Sequence, residues 1–600
     1  MPAPDLTVWA PAASTVEVVL DDGAARHPMR RVDGGWWSWT PAPENSASGR
    51  LDYAFSLDGA HPLPDPRSAW QPYGVHGPSR VFDPFRHVWQ DAGWRGPREG
   101  QGSLGGVVYE LHVGTFTPGG TLESAIERLD HLVELGVDVV ELMPLAAFGG
   151  TVGWGYDGVA PYAVHDPYGG PAAFQAFVDA CHLRGLGVCL DVVYNHLGPT
   201  GNYLARFGPY FNDAVTTPWG PAVNLDGDGS AEVRRWIIDN ALRWLRDFHV
   251  DALRVDAVHE LRDTSGRHLL AELADEVHAL SRQLGRPLEL IAESDLNDPS
   301  MVTATDEGGR GMDGQWADDV HHALHVALTG ETQGYYADFA GGCEAMPEGG
   351  GPLAVLAKTL REVFLHDGRM SSFRKSLWGK PVDRRATSGH QFVAYLQTHD
   401  QVGNRAIGDR IGHMLPAGLQ AAGAALYLLS PFTPMIFMGE EWRASTPFRF
   451  FTSFDEHWLA DAVRTGRRAE FASHGWRAQD VPDPQDPRTF QASILDWDEL
   501  GVGEHGSTFE FYRRLIEIRR SEPDVASGDL MSTVVDFDEE ARWLVMSRGR
   551  VQVAVNLAGE QRVVPCGGDG AQVLASWSGQ VGAGPDGVRL KGQDVAVLRH

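Results

Sequence analysis

Between residues 107 and 438, short β-rich runs alternate with segments of helical apolar spacing, and this alternation constrains the fold more than any other feature of the chain. Val107–Val113, Val137–Leu142, Gly187–Val193, Val250–Val255 and Leu288–Ala292 read as strands. Helices are expected over 122–135, 171–184, 230–247 and 267–284, the first with Ile126, Leu129, Leu132 and Val133 on one side. Strands separated by helices pair in parallel, because a parallel neighbour needs a long crossover. Gly314–Ala317, Phe392–Leu396 and Pro434–Met438 bring the count to eight, the number that closes a (β/α)8 TIM barrel.

The flanks differ. Up to about residue 90, short alternating runs (Leu6–Ala10, Val16–Val18, Tyr53–Leu57) are punctuated by Asp21-Asp22-Gly23, Asp33-Gly34-Gly35 and Asp58-Gly59, which argues a small β-sandwich. Pro64 to Pro97 reads as a linker packed on the barrel. Helix 507–522 closes the barrel unit, and beyond Pro523 strands return as an antiparallel β-domain. The expected division is 1–90, 91–522 and 523–600.

A net charge of −30 would repel a phosphate backbone or an anionic bilayer, so neither nucleic acid nor membrane is an expected partner. Four scattered cysteines (Cys181, Cys189, Cys343, Cys566) form neither a disulfide framework nor a zinc set. No secretory signal is visible at the N-terminus. The most apolar stretch, Ala417–Gly439, is interrupted by Gln420, Ser430, Pro431, Thr433 and Pro434, and reads as buried helix, turn and strand. A cytoplasmic protein is the expectation.

In a βα barrel, reactive groups lie where strands end. Strand three ends in Asp191-Val-Val-Tyr-Asn-His196, strand four in Arg254-Val-Asp256, strand five at Glu293 and strand seven at His399-Asp400. One such Asp is usually a cap or turn former. Three carboxylates at the ends of different strands of one barrel are harder to dismiss. Arg254 and Asp256, two apart, share a side of the strand, and the guanidinium favours an ionised carboxylate. Paired carboxylates without Ser or Cys nucleophiles suit glycoside hydrolysis, one ionised and one protonated. The 19 Trp and 14 Tyr include loop residues such as Trp154, Tyr156 and Trp219, which suit the apolar faces of sugars, although most aromatic rings serve packing.

At Asp191–His196, Ala252–Asp256, Ala292-Glu293 and Thr398–Asp400 the sequence resembles the α-amylase superfamily of retaining α-glucoside enzymes. The resemblance implies Asp256 as nucleophile, Glu293 as general acid/base and Asp400 as the carboxylate that binds and distorts the sugar. It implies His196, Arg254 and His399 as hydrogen-bonding companions, Tyr156 as a stacking platform, and Trp154 beside it. Further stretches, among them Glu110–Phe116, Asn195–Tyr203, Glu293–Asn297, Leu328–Tyr336, Ser445–Phe448 and Val481–Pro484, resemble the trehalose-releasing hydrolases of that superfamily. That implies maltooligosyltrehalose and α-glucan oligosaccharides as substrates and a functional partnership with a maltooligosyltrehalose synthase. Many amylases carry Lys-His where this chain has His259-Glu260, a departure that fits a different leaving group. Asn195 matches a calcium-ligand position without an accompanying acidic set, so neither a required metal nor a cofactor is expected. Two alternatives remain at this level: a glycogen branching enzyme with the same nucleophile, and a catalytically silent glycan-binding scaffold.

Overall fold

The computed structural model describes residues 5–600 except 21–22, 24, 42–50, 345, 347–348, 473–476, 478, 568–569 and 580. Eight parallel strands close into a barrel: Val108–Leu111, Val139–Leu142, Gly187–Val192, Ala252–Val255, Glu289–Ala292, Gly314–Trp316, Phe392–Tyr395 and Thr433–Phe437. The eighth pairs back onto the first, with Phe437 opposite Glu110.

Register determines what fills the barrel. Val108, Val139, Cys189, Ala252, Ile291, Trp316, Val393, Tyr395 and Met435 form one buried apolar cluster drawn from all eight strands. Alternate residues share a face. The same interior face therefore continues two residues onward in Glu110, Glu141, Asp191 and Arg254. Glu110 lies opposite Glu141, and Asp191 opposite Arg254. An apolar plug thus supports a buried polar layer at the end where the strands finish.

The outer helices follow their apolar spacing. Helix Ser230–Asp247 buries Val233, Trp236, Ile237, Ala241, Trp244 and Leu245 on one stripe. The segment 122–135 departs from expectation: it is two helices, Leu122–Ile126 and Leu129–Leu135. The break shifts the phase of the apolar stripe. Leu129, Leu132 and Leu135 are buried while Val133 is 44% exposed.

On the N-terminal side, strands 6–9, 36–39 and 30–31 face a sheet of strands 25–28, 16–20, 52–57 and 79–80. Strand Ser79–Arg80 pairs with Asp52–Leu57, so part of the stretch read as linker belongs to this module. The turn expected at Asp21-Asp22-Gly23 has its first two residues outside the described residues. The linker is fastened to the barrel by specific polar contacts. Trp70 Nε1 donates to Asp166 at 2.7 Å, the Gln90 amide to Asp179 at 3.0 Å, and Trp94 Nε1 to Asp251 at 2.8 Å. Beyond helix Gly503–Ser521, the C-terminal domain is a five-stranded antiparallel sheet, 533–538, 543–548, 551–556, 594–599 and 572–576 in spatial order, beside a three-stranded one.

Candidate active site

Arg254 organises the polar end of the barrel. Its guanidinium is buried, lies 4.3 Å from the centroid of the Trp316 ring, and sends Nη1 to Asp191 Oδ2 at 2.8 Å and to Asp256 Oδ1 at 2.7 Å. Nη2 is 4.0 Å from Glu293 Oε2. Burial works against the charge of Arg254, but Asp191, Tyr156, Asp256 and Glu293 together outweigh it and hold the group protonated.

The two carboxylates that flank Arg254 are held differently. Asp256 receives a charge-assisted bond from Arg254. Glu293 accepts the Ala257 amide at 2.6 Å. Ala257 adopts a φ of 38°, a left-handed conformation uncommon for a residue with a Cβ, and this sharp turn directly follows Asp256. Burial first, then the negative charge of Asp256, Asp318 and Asp400, pushes the Glu293 carboxyl well above the usual carboxylate range, against the pull of Arg254. The pair therefore offers an Arg-bound carboxyl group beside one whose surroundings favour the protonated acid.

The third carboxylate sits on the far wall. Thr398 caps the short helix His399–Gly403, which carries Asp400, with its hydroxyl accepting the Asp400 amide at 3.2 Å. Asp400 is the most open of the three, its side chain 45% exposed, and His399 Nε2 lies 3.6 Å from its Oδ1. Tyr156 stacks on the His399 ring with centroids 5.0 Å apart and donates its hydroxyl to Asp191 at 2.6 Å. His196 Nε2 meets the Tyr156 carbonyl at 2.9 Å, and its ring stacks on Trp219 at 4.6 Å.

The remaining expected residues lie farther out. Trp154 is buried, stacks on Phe448 at 5.3 Å and donates its indole N–H to the Arg449 carbonyl, so it supports the wall behind His399. His259 stands on a single turn after the strained Ala257, with a buried Nδ1 that lacks a hydrogen-bond partner and lies 3.9 Å from Asp295. Glu260 is engaged by Arg262 at 2.8 Å. Asn195 turns its amide to His196 Nδ1 at 2.9 Å. Among the described residues, no group of three or more His, Cys, Asp or Glu is arranged to hold a metal ion.

Sequence reasoning missed the wall beyond Glu293. A small cavity there is lined by Asp295, Asp318, Tyr335, Phe373, Arg374 and Trp378. Arg374 pairs with Asp295 and lies over the Trp378 ring at 4.3 Å, and Trp378 Nε1 donates to the Asp295 carbonyl at 2.7 Å. Phe373, Arg374 and Trp378 ride on the hairpin 369–378. The segments Glu293–Asn297 and Leu328–Tyr336, which supply Asp295 and Tyr335, were the signals for this wall.

Comparison with known proteins agrees with this architecture. The model described as alpha amylase, catalytic domain, matches residues 87–210. Carbohydrate-binding module 48 (isoamylase N-terminal domain) matches 3–74, and a domain of unknown function, DUF3459, matches 528–597. The malto-oligosyltrehalose trehalohydrolase of Arthrobacter ramosus is 52% identical over 592 residues, covering 99% of each chain. This chain belongs to the malto-oligosyltrehalose trehalohydrolase family. The family member from Mycobacterium tuberculosis strain H37Rv is 50% identical over 599 residues, again covering 99% of each. A solved structure described as a putative alpha amylase from Salmonella typhimurium superposes with a TM-score of 0.87 at 37% identity, covering 99% of this chain and 97% of that one. Membership of the trehalohydrolase family makes the chain a glycoside hydrolase of the α-amylase superfamily, with the barrel rim as the place where such chemistry sits.

Proposed function

We propose that the chain hydrolyses the α-1,4-glucosidic bond next to the terminal trehalose of maltooligosyltrehalose and releases trehalose with retention of configuration. The observation that carries the reading is the placement of Arg254 between two unlike carboxyl groups, Asp256 bound to it and Glu293 beside it with its pKa raised by burial, in a chain of this family. Asp256 attacks the anomeric carbon while Glu293 gives its proton to the departing trehalose oxygen. Glu293, now ionised, takes a proton from water, which displaces Asp256 and yields the α-anomer of the shortened chain. Asp400 and His399 bind hydroxyls of the sugar at the cleavage point, Arg254 and His196 complete that grip, and Tyr156 gives its ring to the apolar sugar face. Trp154 supports this wall from behind. His259, with its unpartnered Nδ1, and Glu260 face the leaving side.

The division 1–90, 91–522 and 523–600 goes with this reading, as sandwich module, catalytic barrel and C-terminal domain. The substrate must come from an enzyme that converts the reducing end of an α-1,4-glucan into a 1,1 linkage, so a maltooligosyltrehalose synthase is the functional partner, in the cytoplasm. No helix among the described residues is long and apolar enough to cross a membrane.

The test is product analysis on maltotriosyltrehalose. Free trehalose and maltotriose in equal amounts support the reading. Longer or branched glucans in place of trehalose would identify a transferase, and no turnover a binding scaffold.

A further inference from the structure

Arg254 is held by Asp191, its cross-strand neighbour in the buried polar layer. The other cationic side chain of the site, His399, has an equivalent support on the first barrel strand. Glu110, on the first barrel strand, is 1% exposed and places both carboxylate oxygens against His399. Oε2 accepts the His399 backbone amide at 3.0 Å, and Oε1 contacts ring Nδ1.

We propose that Glu110 is a positioning residue of the reaction: its carboxylate keeps the His399 ring a cation, with Nδ1–H directed downward and Nε2–H turned to Asp400 and the bound sugar. The proposal rests on the reading of this cleft as the site of glycoside cleavage, and extends it to a group that touches no substrate.

An ionised carboxylate only accepts hydrogen bonds, so Nδ1 must carry a proton. With that tautomer fixed, Nε2 is an acceptor if the ring is neutral and a donor if it is charged. The surroundings decide which. Burial opposes the charge, and Arg254 opposes it further, but Glu110 on one side and Asp400 on the other outweigh both and push His399 up to about 9. Tyr156 stacks on the ring, while Trp154 and Trp316 approach it at 5.8 and 6.2 Å without charge. Asp191 is committed to Arg254 and Tyr156. Glu141, opposite Glu110 in the register, is pushed up to about 8 by burial first and by the charge of Glu110, so it is the neutral member of that pair at pH 7. His112, burial-shifted down to about 3, is neutral and does not compete for the proton. Of the carboxyl groups in the layer beneath His399, Glu110 is the one in direct contact with both the His399 ring and its amide. The same carboxylate binds the first amide of the helix that carries Asp400, so ring charge and Asp400 placement share one anchor.

The variant Glu110→Gln keeps the shape and removes the charge. Histidine-selective 15N NMR of the free enzyme, with His399 assigned by its loss in His399→Gln, reads the ring directly. The wild-type ring is expected to stay doubly protonated at pH 7.5. In Glu110→Gln it should be neutral there and titrate nearer the ordinary value of about 6.5. On maltotriosyltrehalose, kcat of Glu110→Gln should fall by at least about tenfold more than that of wild type between pH 6 and 8, with KM changed much less. Glu110→Asp, which retains the charge, should keep the ring cationic and the wild-type shape of the profile. A His399 ring that stays cationic in Glu110→Gln, or turns neutral in Glu110→Asp, overturns the proposal. So does a Glu110→Gln pH profile parallel to wild type, because a purely structural role lowers activity equally at every pH. If wild type releases no trehalose, the functional reading fails instead, and the NMR titration still decides whether Glu110 sets the ring's charge.

Discussion

One nitrogen of Arg254 serves two carboxylates, Asp256 Oδ1 at 2.7 Å and Asp191 Oδ2 at 2.8 Å, so the orientation of Asp256 is set by a group buried one layer beneath it. Oδ1 of Asp256 is occupied by Arg254, so in the proposed mechanism the other oxygen attacks. Replacing Asp256 by Ala should lower kcat on maltotriosyltrehalose by roughly three or more orders of magnitude with a smaller change in KM, because its bond to carbon forms only along the reaction. Steady-state kinetics check this. A loss confined to KM would take the nucleophile role from Asp256.

Glu293→Gln should be comparably impaired on maltotriosyltrehalose and partly spared on α-glucosyl fluoride, whose leaving group needs little proton assistance. Equal losses on both substrates would remove Glu293 from the acid role. The alkaline limb of kcat/KM should belong to Glu293 and lie well above the ordinary carboxylate range, since activity disappears as its proton is lost.

The same shift has a stability consequence of definite sign. The folded state binds the Glu293 proton more tightly than the unfolded chain, so its ionisation destabilises the fold as pH rises above the unfolded value of about 4.3. Glu293→Gln, which cannot ionise, should therefore melt higher than wild type at pH 8, with the gain vanishing near pH 4. Thermal unfolding at the two pH values measures it. A gain equal at both would point to packing in place of charge.

A second pH-linked element lies at the opposite end of the barrel. His182 is buried between Asp91 of the linker, at 2.8 Å, and Asp251, at 3.0 Å. Burial opposes its charge, but the two carboxylates outweigh burial and raise its pKa. This stabilisation is fully present below the unfolded value of about 6.5 and is lost as pH rises through the raised folded value. His182→Ala should cost about 1–3 kcal/mol at pH 6, because Asp91 and Asp251 lose a shared hydrogen-bonding partner while keeping His249 and Arg286. Denaturant unfolding that shows the same cost at pH 6 and well above the folded value would contradict the charge assignment.

Much of this was legible in the chain. All eight barrel strands follow from their apolar runs, and the three carboxylates from their positions at strand ends. Val133 was misassigned because the helix breaks at residues 127 and 128, which a continuous period does not reveal. The hairpins 211–223 and 369–378 gave no signal, since they are short, partly exposed and paired only within themselves. Trp154 looked like a cleft aromatic from its place beside Tyr156, yet Phe448 and Arg449, about 300 residues away, bury it. Glu110 was visible inside a motif, but its significance depends on His399, 289 positions later, and barrel closure alone brings them together.

The stereochemical outcome follows from the double displacement. Maltotriose released from maltotriosyltrehalose should appear first as the α-anomer, before mutarotation, and trehalose has no reducing end to confuse the signal. Proton NMR in the first minutes decides it. Initial β-anomer would mean direct attack by water and would exclude a covalent Asp256 intermediate.

The most direct test of the account is the ratio of kcat/KM for maltotriosyltrehalose to that for maltopentaose. A pocket with polar groups placed for the hydroxyls of a 1,1-linked disaccharide leaves them unpaired against maltose, a penalty of a few kcal/mol, or roughly 10²–10⁴ in specificity. The account predicts a ratio in that range for wild type, reduced in Glu260→Gln, which releases Arg262 beside the leaving side. An unchanged ratio in that variant would remove Glu260 from selection. A wild-type ratio near one would contradict the central claim and make the protein a general α-glucanase.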